Sequence, residues 1–435
     1  MKKACRVPSV LSATSVVFLC LALAAGAAGQ TGSAALRQES FDIVWRTVKE
    51  KHYDPKFNGV DWDKVRELYA PRLGQVKSDQ EFYSLLRQML GELHQSHFAI
   101  IPPEAVVEDA AEEPSSGTIG VEVDYIDNLV LITRVEAGSP AARAGLRPGF
   151  AIKQIEATPV NQVVERFSKL DRSPAMKRLM TARSILARLN GRPGTAAHIT
   201  YLDERDQTRE ASVERAPFKG EMSQALGNFP PQPTEFEAKR LANGIGYIRF
   251  NIFVSSLMER VRTAIRSMSD APGIIIDLRG NPGGLGVMAN GIAGLLEEKQ
   301  TSLGTMHLRT GYNHFAVFPQ PPIYKGTVAV LIDSGSASTS EIFAAGLQEL
   351  GRAVIVGERS AGAALPSFFT KLPTGALFQY AVGDFKTPKG VLIEGRGVDP
   401  DVEVRLSRAE LLRGRDSQLE KAIELIQKKI VGGKQ

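Results

Sequence analysis

Cysteine is almost absent from this 435-residue chain: Cys5 and Cys20 are the only two, and both lie in the first 30 residues. With that segment removed no thiol remains, which excludes a cysteine nucleophile, disulfides and cysteine-ligated zinc in the mature chain. Histidine is scarce too, with six in all. His94 and His97 stand three apart, not four, and no Glu follows the first, so the HExxH zinc pattern is missing. No glycine-rich stretch continues into Gly-Lys-Ser/Thr, which excludes a phosphate loop. Neither sign of charge dominates. The formal +5 falls to about +2 when Lys2, Lys3 and Arg6 are set aside, and no long basic patch argues for nucleic acid. Beyond the first 30 residues no apolar run is long enough to span a bilayer.

The first 30 residues hold a positive start, an apolar run from about Val10 to Ala25, and small residues around Ala25–Gly29. That layout is expected of a secretory signal peptide over 1–29, hence of an exported, periplasmic or extracellular protein. The alternative is a membrane anchor, but the run is short for a span and ends without a basic stop.

The length suits two to four domains at roughly 100–200 residues each. Residues 30–102 read as a helical region. Phe41, Val44, Trp45 and Val48 recur at helical spacing, and Ser78 with Glu81 forms a capping box ahead of Phe82, Leu85, Leu86, Met89, Leu90 and Leu93. Residues 103–116 read as a linker. Short strands follow at 119–123, 129–134 and 151–156, with a turn and short helix from Gly138 to Leu146. Residues 191–243 read as a connecting segment. From 244 to 406 strands at 245–250, 273–278, 327–332 and 353–357 alternate with helices. This predicts a largely parallel α/β core whose site lies at the carboxyl ends of the strands. A last helix covers 407–435.

Two segments fall at those ends. Asp333-Ser334-Gly335-Ser336-Ala337-Ser338-Thr339-Ser340-Glu341 puts serines where a helix begins and backbone N–H groups are free to stabilise an oxyanion. The same residues also make an ordinary capping box. Leu278-Arg279-Gly280-Asn281-Pro282-Gly283-Gly284 lets the backbone approach a ligand, or is merely a turn that needs positive φ. A serine nucleophile needs a base, and Ser96-His97 follows the well-specified helix. Glu394 lies in a tight glycine-rich loop.

These segments, in this order, resemble the C-terminal processing (tail-specific) peptidases and their tricorn-type relatives. The matching features are Leu-Arg-x-Asn-x-Gly-Gly, Gly-Ser-Ala-Ser-x-Ser-Glu, the Gly-Glu-Arg-Ser-x-Gly turn at 357–362, and Gly-x-Gly-Val-x-Pro-Asp near residue 400. The resemblance implies a crotonase-like (ClpP/crotonase) α/β peptidase core, Ser338 as nucleophile, and no cofactor or metal. Typical members take a lysine base about 25 residues later, but this chain has Gly362-Ala363-Ala364 there. The tricorn-type branch instead uses a Ser-His pair and a distant Glu, matched by Ser96, His97 and Glu394. Thr339 and either Gly283 or Gly284 would supply the oxyanion hole.

Residues 117–190 resemble a PDZ domain, with Gly117, Thr118, Ile119 and Gly120 as its carboxylate-binding loop. Protein or peptide substrates, offered by their free C-termini, are the expected partners. A histidine base of ordinary pKa would switch activity off as pH falls through about 6–7. The alternatives on the same scaffold are a catalytically silent peptide- or lipophile-binding protein and, more distantly, a crotonase-like acyl-CoA enzyme.

Overall fold

The computed structural model describes residues 14–105 and 117–432. Lys2, Lys3, Arg6 and Cys5 lie outside the described residues, as does 106–116 of the expected linker. Among the described residues no helix is long and apolar enough to cross a membrane.

The N-terminal part packs helix on helix. The helix Thr14–Lys51 buries Phe41, Val44 and Val48 against Phe82, Leu86, Met89 and Leu90 of the helix Asp79–Gly91. Ser78 Oγ caps that second helix by accepting the Glu81 N–H. The expected box is only half formed, because Glu81 Oε2 accepts from the Lys77 N–H rather than from Ser78. The strand Ala99–Ile101 then leaves the helices and pairs antiparallel with Leu377–Ala381, which pairs with Ser367–Lys371. This small sheet carries the residues just before Ala99 onto the rest of the molecule.

A second unit is an antiparallel sheet in the order Val121–Ile126, Leu129–Val135, Ala151–Ile155, Ala196–Leu202, Thr208–Glu214, covered by the helix Pro174–Leu189. Its last two strands fall in 191–243, the stretch expected to be a connector. The boundary expected at 190 therefore moves past Glu214. The reason is period-two burial: Ala197, Ile199 and Tyr201 face the same core as Ile132, Ile152 and Ile185.

The third unit is a six-stranded sheet in the order Phe236–Arg240, Gly246–Phe250, Gly273–Asp277, Thr327–Ile332, Ala353–Gly357, Val402–Glu403. The first pair is antiparallel and the others are parallel. Gly273–Asp277 is buried along its whole length, as a strand covered on both faces must be. The helices Ser255–Ser267, Gly286–Ala293 and Thr339–Glu349 connect the strands. The expected single C-terminal helix is two, Arg408–Leu412 and Ser417–Gly432, broken at Gly414 with φ 71°. Ile426 of the second helix packs so closely on the sheet that a Cβ at Gly273 would stand 2.4 Å from it. The result is the mixed α/β protein expected, with Asp277 and Ile332 ending adjacent parallel strands on the same edge.

Candidate active site

Both strand ends feed one cleft of about 1400 Å³, lined by Ser96, His97, Gly283, Gly284, Ser338 and Glu394 among others. Of the serines after Ile332, Ser334, Ser336 and Ser340 are buried. Ser336 Oγ donates to the Leu278 carbonyl at 2.8 Å and Ser340 Oγ to the Asn281 carbonyl at 2.9 Å, so both are structural. Ser338 alone is half-buried and opens to the cleft. Its backbone is strained, with φ 55° and ψ −118°. Such strain persists only where surrounding bonds over-determine it. Here the Ser338 N–H donates to the Ala363 carbonyl at 2.8 Å and to Glu341 Oε2 at 3.0 Å.

Glu341 is fully buried and accepts from the Gly362 N–H at 2.8 Å, the Ala363 N–H at 2.9 Å and Ser360 Oγ as well. Burial pushes its pKa up to about 7 in spite of those donors. Asp333 Oδ1 ties the two loops together, accepting from the Gly280 N–H at 2.9 Å and the Gly335 N–H at 2.8 Å. Burial, then the Asp124 charge, pushes Asp333 up to about 6.

The loop 278–284 approaches Ser338 through glycine. A Cβ on Gly283, whose φ is 99°, would stand 2.7 Å from Ser338 Cβ and from the Thr339 nitrogen. The Gly283 N–H is taken by Asn281 Oδ1 at 2.9 Å. Among the described residues no acceptor meets the N–H of Gly284 or of Thr339. Of the two glycines left open by sequence, Gly284 is thus the one with a donor to offer. Behind the loop, fully buried Asp277 accepts from Arg279 and from Tyr247 Oη at 2.8 Å, and Arg279 also pairs with Asp416 at 2.8 Å. The Arg279 and Arg249 charges hold the Asp277 carboxyl below the usual range against its burial.

Across the cleft, the chain turns at His94 (φ 52°) and His97 (φ 59°). Ser96 Oγ lies 2.7 Å from His97 Nδ1 and donates to Glu394 Oε2 at 2.8 Å. A hydroxyl has one proton to give, so with that proton on Glu394 it accepts from Nδ1–H, which leaves His97 Nε2 as the unprotonated nitrogen. Glu394 also accepts from the Ser96 N–H at 2.8 Å and the Ala364 N–H at 3.0 Å. Burial raises the Glu394 carboxyl above its ordinary value. Burial, then the Arg183 charge, pushes His97 down to about 4, although part of the ring stays open to the cleft. Among the described residues no hydrogen bond joins Ser338 Oγ to His97. At the position of the missing lysine, Ala363 packs with Ala337, Ala361, Leu179 and Met176, and no lysine lines the cleft.

The loop Gly117–Gly120 does not fit the carboxylate-capturing role expected of it. The N–H groups of Gly117 and Thr118 donate to the carbonyls of Gly191 and Ala216, and that of Gly120 to Thr118 Oγ1. Only the Ile119 N–H has no acceptor among the described residues, too little to hold a carboxylate in a nest of donors. Asn281, Asp333 and Arg183 received no role from sequence; Asn281 and Asp333 bond both within their own loops and to the facing one, and Arg183 lines the cleft.

Family models and relatives identify a serine peptidase. Residues 244–404 match the model of peptidase family S41, and residues 33–91 match the tricorn protease C1 domain. The chain is similar to the C-terminal processing peptidases. It is similar to the carboxyl-terminal-processing protease of Synechocystis sp., with 27% identity over 409 residues covering 92% of this chain and 89% of that one. It is similar to the putative tricorn protease homolog 2 of Streptomyces coelicolor at 26% identity, covering 90% of this chain and 32% of that protein. Among solved structures, the photosystem II D1 C-terminal processing protease shares the fold, with TM-score 0.57 and 22% identity over 88% of this chain and 98% of that one.

Proposed function

We propose that the chain is an exported serine endopeptidase that cleaves polypeptides through an acyl-enzyme on Ser338, with His97 as base. The observation that carries this reading is the hydrogen-bonded series His97–Ser96–Glu394 facing Ser338 across one cleft that holds no lysine. The tricorn C1 match over 33–91, the segment that ends just before Ser96, supports the histidine branch over the lysine one.

Ser338 Oγ attacks the scissile carbonyl while His97 Nε2 takes its proton. The tetrahedral oxyanion is met by the N–H groups of Thr339 and Gly284. His97 then gives the proton to the leaving amine, the C–N bond breaks, and a water activated by the same nitrogen hydrolyses the ester. Glu394 acts through Ser96, holding the tautomer that leaves Nε2 free. Among the described residues no hydrogen bond joins Ser338 Oγ to His97; such bonds commonly close only in the Michaelis complex. In this reading residues 1–29 direct export, 117–216 form a PDZ-like module, and 244–406 form a crotonase-like core.

A neutral fluorophosphonate tests the proposal. It should label the wild-type chain at Ser338 and leave Ser338→Ala unlabelled. An unlabelled wild type would return the chain to the silent binding-protein reading.

A further inference from the structure

The helix Pro174–Leu189 sends Met176, Leu179, Met180 and Arg183 into the cleft that holds Ser338 and His97. Two arginines on this helix are treated in opposite ways. Arg178 is locked between Asp124 and Glu358, with 2.6 Å to the latter. Arg183 has no hydrogen bond and no ion pair among the described residues. Its side chain stays accessible from the cleft, yet enough protein surrounds it to push the guanidinium pKa down.

The rest of the lining leaves its charge unanswered. The titratable and charged groups that share the cleft with His97 are Tyr53, Arg87, His94, Arg172, Arg183, Tyr380 and Glu394. Arg87 spends its donors on the Ile100 carbonyl, at 3.1 and 2.9 Å, and Arg172 donates to the His94 carbonyl. Glu394, the one carboxylate, is committed to Ser96 and Ala364. Three cations therefore face one occupied anion, and of the three Arg183 alone makes no hydrogen bond among the described residues. A planar guanidinium in a partly desolvated cleft is suited to a carboxylate.

We propose that Arg183 is a subsite for a carboxylate on the leaving side of the scissile bond, an inference that rests on the roles given above to Ser338 and His97. The side follows from chemistry. His97 must meet the leaving amine, and Arg183 lines the same cleft as His97, where its charge bears on the ring. A carboxylate bound there neutralises the charge that opposes the imidazolium and so makes His97 a better base once substrate is in place. The carboxylate is either the free C-terminus of the substrate or an Asp/Glu side chain close to it. The loop Gly117–Gly120, with three of its four N–H donors engaged, leaves this task to Arg183.

The experiment uses the full chain and three quenched peptides of one sequence: a free C-terminal acid, its amide, and an amide with Asp on the leaving side. Wild type should favour one or both carboxylate peptides over the plain amide by about tenfold in kcat/KM, the size of one charge-assisted bond. Arg183→Met should bring the ratio near one, and Arg183→Lys should keep part of it. Loss of the acid preference identifies the C-terminus as the ligand, and loss of the Asp preference identifies a side chain. A ratio that survives in Arg183→Met, or a wild type indifferent to all three, overturns the subsite. The wild type alone gives a second readout. The acidic limb of kcat should lie at higher pH for the preferred carboxylate peptide than for the plain amide, and coincident limbs overturn the coupling to His97. No turnover of any peptide together with no phosphonate labelling would instead overturn the peptidase reading itself.

Discussion

Glu341 Oε2 lies 3.0 Å from the backbone nitrogen of Ser338, and the same carboxylate accepts from Gly362 and Ala363. One buried side chain thus fixes the strained backbone of the candidate nucleophile and the turn whose next residue, Ala364, donates to Glu394. Glu341→Gln sets an amide NH2 among groups that are all donors. Stability should fall by about 1–3 kcal/mol, and kcat by at least about tenfold as Ser338 loses its geometry. The folded pKa of Glu341, about 7, lies above its ordinary value. The stability tied to its proton is therefore complete below the ordinary carboxylate range and is lost as pH rises through about 7. Thermal melts of wild type and variant between pH 4 and 8 check this, since the variant should lack that slope.

Ser338→Ala should abolish peptide cleavage and leave the melting temperature almost unchanged, because Ser338 Oγ is half-exposed in the cleft. Ser336→Ala and Ser340→Ala should do the reverse. Each removes buried hydrogen bonds, to Leu278 or to Asn281, so each should lower stability while retaining measurable turnover. Loss of all activity in Ser336→Ala with an intact fold would move the nucleophile.

Activity should persist well below the pH at which an ordinary histidine charges. Only neutral His97 accepts the Ser338 proton, and burial with the Arg183 charge brings its pKa to about 4. The acidic limb of kcat/KM should therefore lie near 4 rather than at 6–7. A limb at 6–7 that vanishes in no His97 variant would assign it to another group.

Glu394→Gln should cost on the order of 10²-fold in kcat, less than a directly bonded triad acid because Ser96 stands between. The new amide would also face the Ala364 and Ser96 N–H donors. Ser96→Ala should do similar damage, and the double variant little more, because the two act as one unit. Additive losses would separate them.

Asp277→Ala should be the most damaging of these changes for folding. It leaves Arg249 and Arg279 buried without their shared counter-charge, a loss of about 3–5 kcal/mol. Calorimetry should show it, together with weaker acylation as the 278–284 loop loosens.

Much of this was already written in local patterns. Apolar runs placed the strands 327–332 and 353–357 at their observed bounds, and Ser338 and the missing lysine at 362–364 were legible as motif and departure. The period-two strand 196–202 is equally local, and it lies inside the stretch expected to be a connector. What the chain could not state locally is which donors remain unspent. Gly283 and Gly284 are adjacent and alike in sequence; a single bond to Asn281 separates them. Glu394 reaches Ser96 across 298 residues, and Arg183 is unanswered because that one carboxylate of the cleft is already held by Ser96 and Ala364. Periodicity and turn chemistry are short-range and survive in a window of sequence. Hydrogen-bond satisfaction and the balance of charge in a cleft are sums over partners brought together by folding, and only the tertiary structure decides them.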